Sequence, residues 1–348
     1  MIGHVIRRLI ASIVLLLALT LATFLIFKTI PLDPACLKVD CGQGSTATKA
    51  QLQAIDHQLG VDRPILVQYK DFIWSLARHG SFGSSWSNSN INETLRSGLA
   101  HTASILLGGV VFLLALAIPL GIISALRQNS ALDRAILFGS IFGIALHPLI
   151  IGYLLRQVFG ATLHVLPSSF YCTIAKPHIP PPPPGVHVIP PPPGTPGPCY
   201  GLGSWASHLV LPWLTFALFF LPLYIRLIRA RVLETLGEPH VATARAKGAS
   251  EQRVMLRHVL RPALIPLTPM VAMDLGGALM AAIYIEFVFS LGGIGGLVLG
   301  VLSPDRAGYD LPLVASLFFV IAAIIVLLNL IADIVQTALD PRVRLSTA

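Results

Sequence analysis

PHVATARAKGASEQRVMLRHVLRPALIP, Pro239 to Pro266, lies between two long apolar runs and carries Arg245, Lys247, Arg253, Arg257, His258 and Arg261. Arg226, Arg229 and Arg231 stand just upstream. No other connection in the chain is so densely basic, and short basic connections mark the cytoplasmic side of a membrane protein. Ala242, Ala244 and Ala246 alternate along its start, where small residues let backbones approach, and Gly248 permits a turn that a side chain would obstruct. Arg245, Lys247, Arg253 and Arg257 are suited to acidic groups on a partner. The plainer reading is a loop that fixes orientation and touches lipid head groups. Composition alone favours neither.

The whole chain agrees with a membrane setting. Of its 348 residues 54% are hydrophobic and only 11% charged, against about 25% charged in soluble domains. Lys and Arg outnumber acids 24 to 16, but they are grouped in connections between apolar runs, which argues for orientation in a bilayer and against nucleic acid.

Apolar runs of bilayer length predict six spans: Leu9–Phe27, Thr102–Leu126, Ala135–Val158, Trp205–Leu227, Leu264–Phe287 and Leu311–Thr337. Arg7 and Arg8 before the first run, Arg127 and Arg134 after the second, and Arg342 and Arg344 at the end put both termini in the cytoplasm. The first run is read as a retained span, since FKTIPLDP offers no small-x-small cleavage site. The chain therefore divides into 1–30 (N-terminus and first span), 31–100 (an external segment) and 101–348 (the core). Within the core, 171–200 is an external insertion and 238–266 the basic loop. Leu66, Tyr69, Phe72, Ile73 and Leu76 recur at helical spacing in the external segment and predict an amphipathic helix against the outer face. Arg156 is expected to line a polar path or to snorkel toward the outer interface from its span's end.

The insertion holds two proline tracts, Pro180–Pro184 and Pro190–Pro193, with the composition of stiff polyproline II. Cys172 and Cys199 flank them, and Cys36 and Cys41 also fall outside, where disulfides persist. Cys36–Cys41 with Cys172–Cys199 is the simplest pairing, although four cysteines permit three connectivities.

Motifs narrow the reading. Ala242–Gly248, ATARAKG, has the small-residue run and closing glycine of the EAA loop of ABC-importer permeases, and TARAKG…RVMLRHVLRPALIP resembles the dipeptide/oligopeptide/nickel permease family. Further pieces of that pattern are PLDPA, LGVDRPILVQY, HGSFGSS with Ser81 in place of an acid, AIPLG, VLPSS, EFVFSLGGIGGLV with Gly292 in place of proline, and DPRVR. The insertion does not belong to the pattern. The resemblance implies an all-α polytopic membrane protein of the type I ABC importer permease fold, with a cytoplasmic coupling helix and large external loops. It implies that Ala242, Thr243, Ala244, Arg245, Ala246, Lys247 and Gly248 dock on a cytoplasmic ATPase. Ala242 and Thr243 depart from the EAA letters, and Pro239-His240 replaces the aspartate-tyrosine of many relatives. The implied partners are a second homologous permease, two ABC ATPase subunits and an extracytoplasmic solute-binding protein, in a bacterial inner membrane. Peptides are the implied cargo, with nickel or other small solutes as the alternative.

No GxxxxGK[ST] phosphate loop occurs, so ATP hydrolysis is expected in a partner and not in this chain. No catalytic constellation, cofactor motif or metal spacing stands out; His178 and His187 match no zinc pattern. Asp274, an acid inside an apolar span, faces either a substrate path or a neighbouring helix. Glu286 is expected to shape an external gate, and Asn329 and Asp333 to serve packing. A rival reading makes the chain an ion-coupled secondary transporter with Asp274 as its cation site; a third makes it a scaffold displaying the proline-rich loop.

Overall fold

A computed structural model describes residues 2–29, 35, 49–60, 62–85, 90–175, 199–301 and 310–339. Cys36, Cys41, His178, His187, Arg342, Arg344, both proline tracts and the side chain of Asp333 lie outside the described residues. The order is α1 (Ile2–Thr29), α2 (Lys49–Leu59), α3 (Ile65–His79), α4 (Ile91–Leu126), α5 (Ala131–Ala145) and α6 (Pro148–Leu155), which runs into a π-helix (Arg156–Thr162). Then come α7 (Leu202–Leu236), α8 (Pro239–Ala246), α9 (Glu251–Arg253), a second π-helix (Val254–Leu260), α10 (Arg261–Leu264), α11 (Leu267–Phe289), α12 (Ile294–Val301) and α13 (Leu311–Leu339). No strand forms among the described residues, so the architecture is all-α.

Among the described residues α4, α7 and the Leu311–Ile331 part of α13 are long and apolar enough to cross a membrane, and Ile10–Ile26 is a shorter apolar stretch of α1. Two expected spans take another form. The third breaks at Leu146–His147, which is extended (ψ 123° and 146°), because the ring of Pro148 disfavours helical geometry in the residue before it. Pro148 then opens α6, where a missing N–H costs nothing. The fifth ends at Phe289, and the chain turns by 76° into α12, a helix between the fifth and sixth expected spans. Helices also outrun their expected ends. α4 begins at Ile91, where the side chain of Asn90 accepts from the amide of Asn92 at 3.1 Å, and α7 carries Arg226, Arg229 and Arg231 in its C-terminal third.

The chain forms two compact units. The first comprises residues 1–102, 255–283 and 293–348. In it α3 lies on α1: Tyr69 and Phe72 pack on Phe24, and the Tyr69 hydroxyl donates to the carbonyl of Leu17 at 2.8 Å. Leu66, expected on the packed face, is instead 65% exposed. Ile91 and Leu95 of α4 pack with Ile294 and Val301 of α12 and Val314 and Leu317 of α13. The Thr102 hydroxyl accepts the first amide of α12, from Ile294, at 3.0 Å. Buried Asp310 caps α13 by accepting from Leu313 and takes a further bond from the Ser85 hydroxyl.

The second unit comprises residues 103–254 and 284–292. α7 is its axis. It runs parallel to α4 at contacts so close that a side chain on α4 has no room: a Cβ on Gly109 would stand 2.6 Å from the Phe216 ring. Small residues at helix contacts are how membrane helices gain packing without a hydrophobic drive. Against α5 and α6 it runs antiparallel, with Arg229 on Asp133, Arg226 on Ser140, Pro222 beside Gly143 and Thr215 beside Gly152.

Candidate functional site

α8 is the short helix inside the basic loop. Glu238 precedes it in extended geometry and Pro239 opens it. Val241 and Ala244, one turn apart, are buried in the second unit, while His240, Ala242, Thr243, Arg245, Ala246 and Lys247 are exposed. The helix is thus held on one side and offered on the other. Gly248 ends it at φ 79°, a region that L side chains rarely adopt, and its amide returns to the carbonyl of Arg245 at 2.9 Å. Arg245 is already engaged: its guanidinium holds both carboxylate oxygens of Glu251, at 2.8 and 3.2 Å. Those hydrogen bonds hold its pKa above the ordinary arginine value. The offered cation is therefore Lys247, and Arg245 stiffens the turn.

Upstream of α8, α5 and α7 share an ion pair that sequence reasoning missed. Asp133, in the first turn of α5, is buried and receives Nε and Nη2 of Arg229, both at 2.9 Å. The Ser124 hydroxyl and the Asn129 amide donate to the same carboxylate. The Arg229 hydrogen bonds, with help from Ser124 and Asn129 and against burial, hold its pKa well below the usual carboxylate range. Arg229 and Asp133 are 96 residues apart, and only the LDR tripeptide after a basic turn hinted at the acid.

Asp274 is half-buried in α11, in the first unit. Two residues on, Gly276 lies against Asn329 of α13, whose Oδ1 would meet a Cβ there at 3.2 Å. Asn329 thus fills the space beside a glycine, on the same helix as Asp274. Glu286 is 1% exposed, and its carbonyl accepts the amide of Leu291, closing the turn in which Ser290 and Gly292 have positive φ. Arg156 is half-buried, and its guanidinium donates to the carbonyl of Val288, near the end of α11, where helix carbonyls lack partners.

At the base of the insertion Cys172 and Cys199 form a disulfide, with Cα atoms 5.1 Å apart. Thr173 and Tyr200 bridge beside it, and the Gly201 amide donates to the Thr173 carbonyl at 3.0 Å. His208 of α7 places Nδ1 3.2 Å from the Cys172 sulfur and 2.8 Å from the Ser204 carbonyl. These three side chains have metal-ligand spacing, but both sulfurs are committed to each other.

Comparison with known proteins places this geometry. The family model described as binding-protein-dependent transport system inner membrane component matches residues 117–345, and the model of its N-terminal part matches residues 1–105. A putative peptide permease protein of Brucella suis is 28% identical over 99% of this chain and 100% of its own length. The oligopeptide transport system permease protein AppB of Bacillus subtilis is 28% identical over 99% of both chains. The glutathione transport system permease protein GsiC of Salmonella choleraesuis is also 28% identical, over 99% of both. A chain of the MetNI methionine ABC transporter superposes with a TM-score of 0.51 at 14% identity, over 71% of this chain and 96% of that one, a likeness of fold. The long apolar helices, the exposed helix in the basic loop and these matches agree: the chain belongs to the binding-protein-dependent transport system inner membrane component family, a family of multi-pass membrane transport subunits.

Proposed function

We propose that the chain is the permease subunit of an ATP-driven importer of peptides in a bacterial inner membrane, with both termini cytoplasmic. The carrying observation is α8: Val241 and Ala244 anchor it, and a face of small residues with Lys247 is left exposed. Such a face suits close docking against another protein's backbone. An ATPase subunit is the occupant that family membership favours. A second permease completes the path, two ATPases take the two coupling helices, and a solute-binding protein delivers cargo. Closure of the ATPases around ATP displaces α8 and alternates access to the path. Peptides are favoured because relatives matching nearly the whole chain are named for peptide, oligopeptide and glutathione transport. Asp274 is proposed to face the path, where its carboxylate assists an ammonium group, and Glu286 to hold the external gate.

The test is mass spectrometry of the proteins that copurify with the chain after gentle extraction from its own membrane, wild type beside Gly248→Asp. A second permease, P-loop ATPases and a binding protein are expected with wild type, and loss of the ATPases with the variant. A chain that emerges alone overturns the reading. Uptake of labelled peptides, competed by unlabelled peptides and not by nickel chelates, tests the cargo.

A further inference from the structure

Arg229 and Asp133 are joined more firmly than an orientation signal requires. The Asp133 side chain is 2% exposed and that of Arg229 21%, so solvent screens the pair little. The fork of two parallel bonds fixes angle as well as distance. The carboxylate gathers three segments: Ser124 from the end of α4, Asn129 from the α4–α5 turn and Arg229 from α7. Ser130 fixes the acid's own backbone by accepting its amide at 3.1 Å. Neighbouring cations are engaged elsewhere: Arg226 donates to Ser140, and Arg231 pairs with Glu234.

The position of Arg229 gives the pair a consequence. It lies on α7 two turns before that helix ends at Leu236, and α8 begins at Pro239 after two residues. Between them Val232 and Thr235 are buried, and the Thr235 hydroxyl is bonded to the Arg231 carbonyl. The inner end of α7 is therefore unbroken helix from the ion pair to Leu236, and only Gly237 and Glu238 separate it from α8. A purely apolar contact between α7 and α5 permits sliding; a buried fork does not.

We propose that Asp133 and Arg229 are positioning residues that make the α4–α5 turn move with α8, so that a push on α8 reaches the inner ends of α4 and α5 together. This rests on the reading of α8 as the docking helix for the ATPase. The pair is a strut, and its role is in coupling.

The test replaces both partners at once, Asp133→Leu with Arg229→Met, because removing one leaves a buried charge while apolar replacement of both preserves folding. In proteoliposomes holding the complete importer, peptide transported per ATP hydrolysed is expected to fall on the order of tenfold, the size of an ordinary coupling free energy. Arg229→Lys, which keeps charge and loses the fork, is expected to fall between. If transport and hydrolysis decline together with the ratio unchanged, the pair only supports folding and the proposal is overturned. A second measurement needs no ATPase: spin labels on Gln128→Cys and Ser250→Cys, read as a distance distribution on the chain in detergent. A distribution that broadens in the double variant supports the strut, and one that stays narrow overturns it. Failure of the wild-type chain to hold ATPases would overturn the docking role of α8 instead, and the label distances would still decide the strut.

Discussion

The indole of Trp213 lies so close to Gly108 that a Cβ at that glycine would stand 2.1 Å from Nε1, and the same N–H donates to the carbonyl of Ser104 at 2.9 Å. One aromatic ring thus fixes the separation of α4 and α7. Gly108→Ala is expected to destabilise the chain by about 1–3 kcal/mol through overpacking, although alanine favours an open helix site by about 1 kcal/mol. Gly139, on α5, has nothing within 4 Å of its Cβ position. Gly139→Ala should leave the melting temperature in detergent unchanged or raise it, and equal losses at the two sites would sink the packing argument.

The carboxylate of Asp133 makes a prediction with a defined sign. Its folded pKa is depressed, first by Arg229, so the stabilisation is fully present above the unfolded value of about 3.9 and is lost as pH falls toward the folded value. The melting-temperature difference between wild type and Asp133→Asn should therefore be flat from pH 7 to about 5 and shrink below about 4. A difference that changes between pH 7 and 6 would assign the effect to another group.

Gly248 and Arg245 should respond differently to substitution. Gly248→Ala forces a Cβ into left-handed geometry at about 1–2 kcal/mol and distorts the end of α8. Arg245→Ala removes only an exposed, solvent-screened pair with Glu251. Copurification of ATPases is expected to weaken several-fold for Gly248→Ala and less for Arg245→Ala. The opposite order would mean that Arg245 leaves Glu251 to meet the partner.

Cys172 and Cys199, 27 positions apart, close a loop for which chain entropy gives about 3.5 kcal/mol in the unfolded state. Cys172→Ser with Cys199→Ser should lower the melting temperature by several degrees, and reduction of wild type should reproduce the shift. No shift under either treatment would show that Thr173, Tyr200 and Gly201 hold the base unaided.

Much of this was legible in the chain. Apolar length located α4, α7 and α13, clustered arginines located the connection that carries α8, and helical spacing located α3. What the sequence hid has physical reasons. His147 and Pro148 interrupt an apolar run that is still long enough to span, so length alone gave one helix where the chain breaks at Leu146–His147. IGGLVLGV is too short to span and carries three glycines, so neither apolar length nor helix propensity announced α12. Leu66 has the right spacing for the packed face of α3 yet points outward, because Phe24 meets Tyr69 and Phe72 instead. Arg156 and Val288 are 132 residues apart, and no local pattern announces a side chain that will bond a distant carbonyl. Asp133 and Arg229 escaped for the same reason, each lying in plain view at the edge of a basic segment.

The bridged base of the insertion governs how this chain is able to vary. With Cys172 joined to Cys199 and Thr173 beside Tyr200, the distance between the two ends of the insertion is set by the base and not by what lies between. Loop closure grows only logarithmically with length, about 0.6 kcal/mol for each doubling. Residues between the cysteines are therefore free to be lengthened, trimmed or exchanged at little cost to the helices below. The staple makes this a grafting port, a place where lineages or engineers are able to add an epitope, a tag or a small folded module and leave the helices that the base joins as they stand.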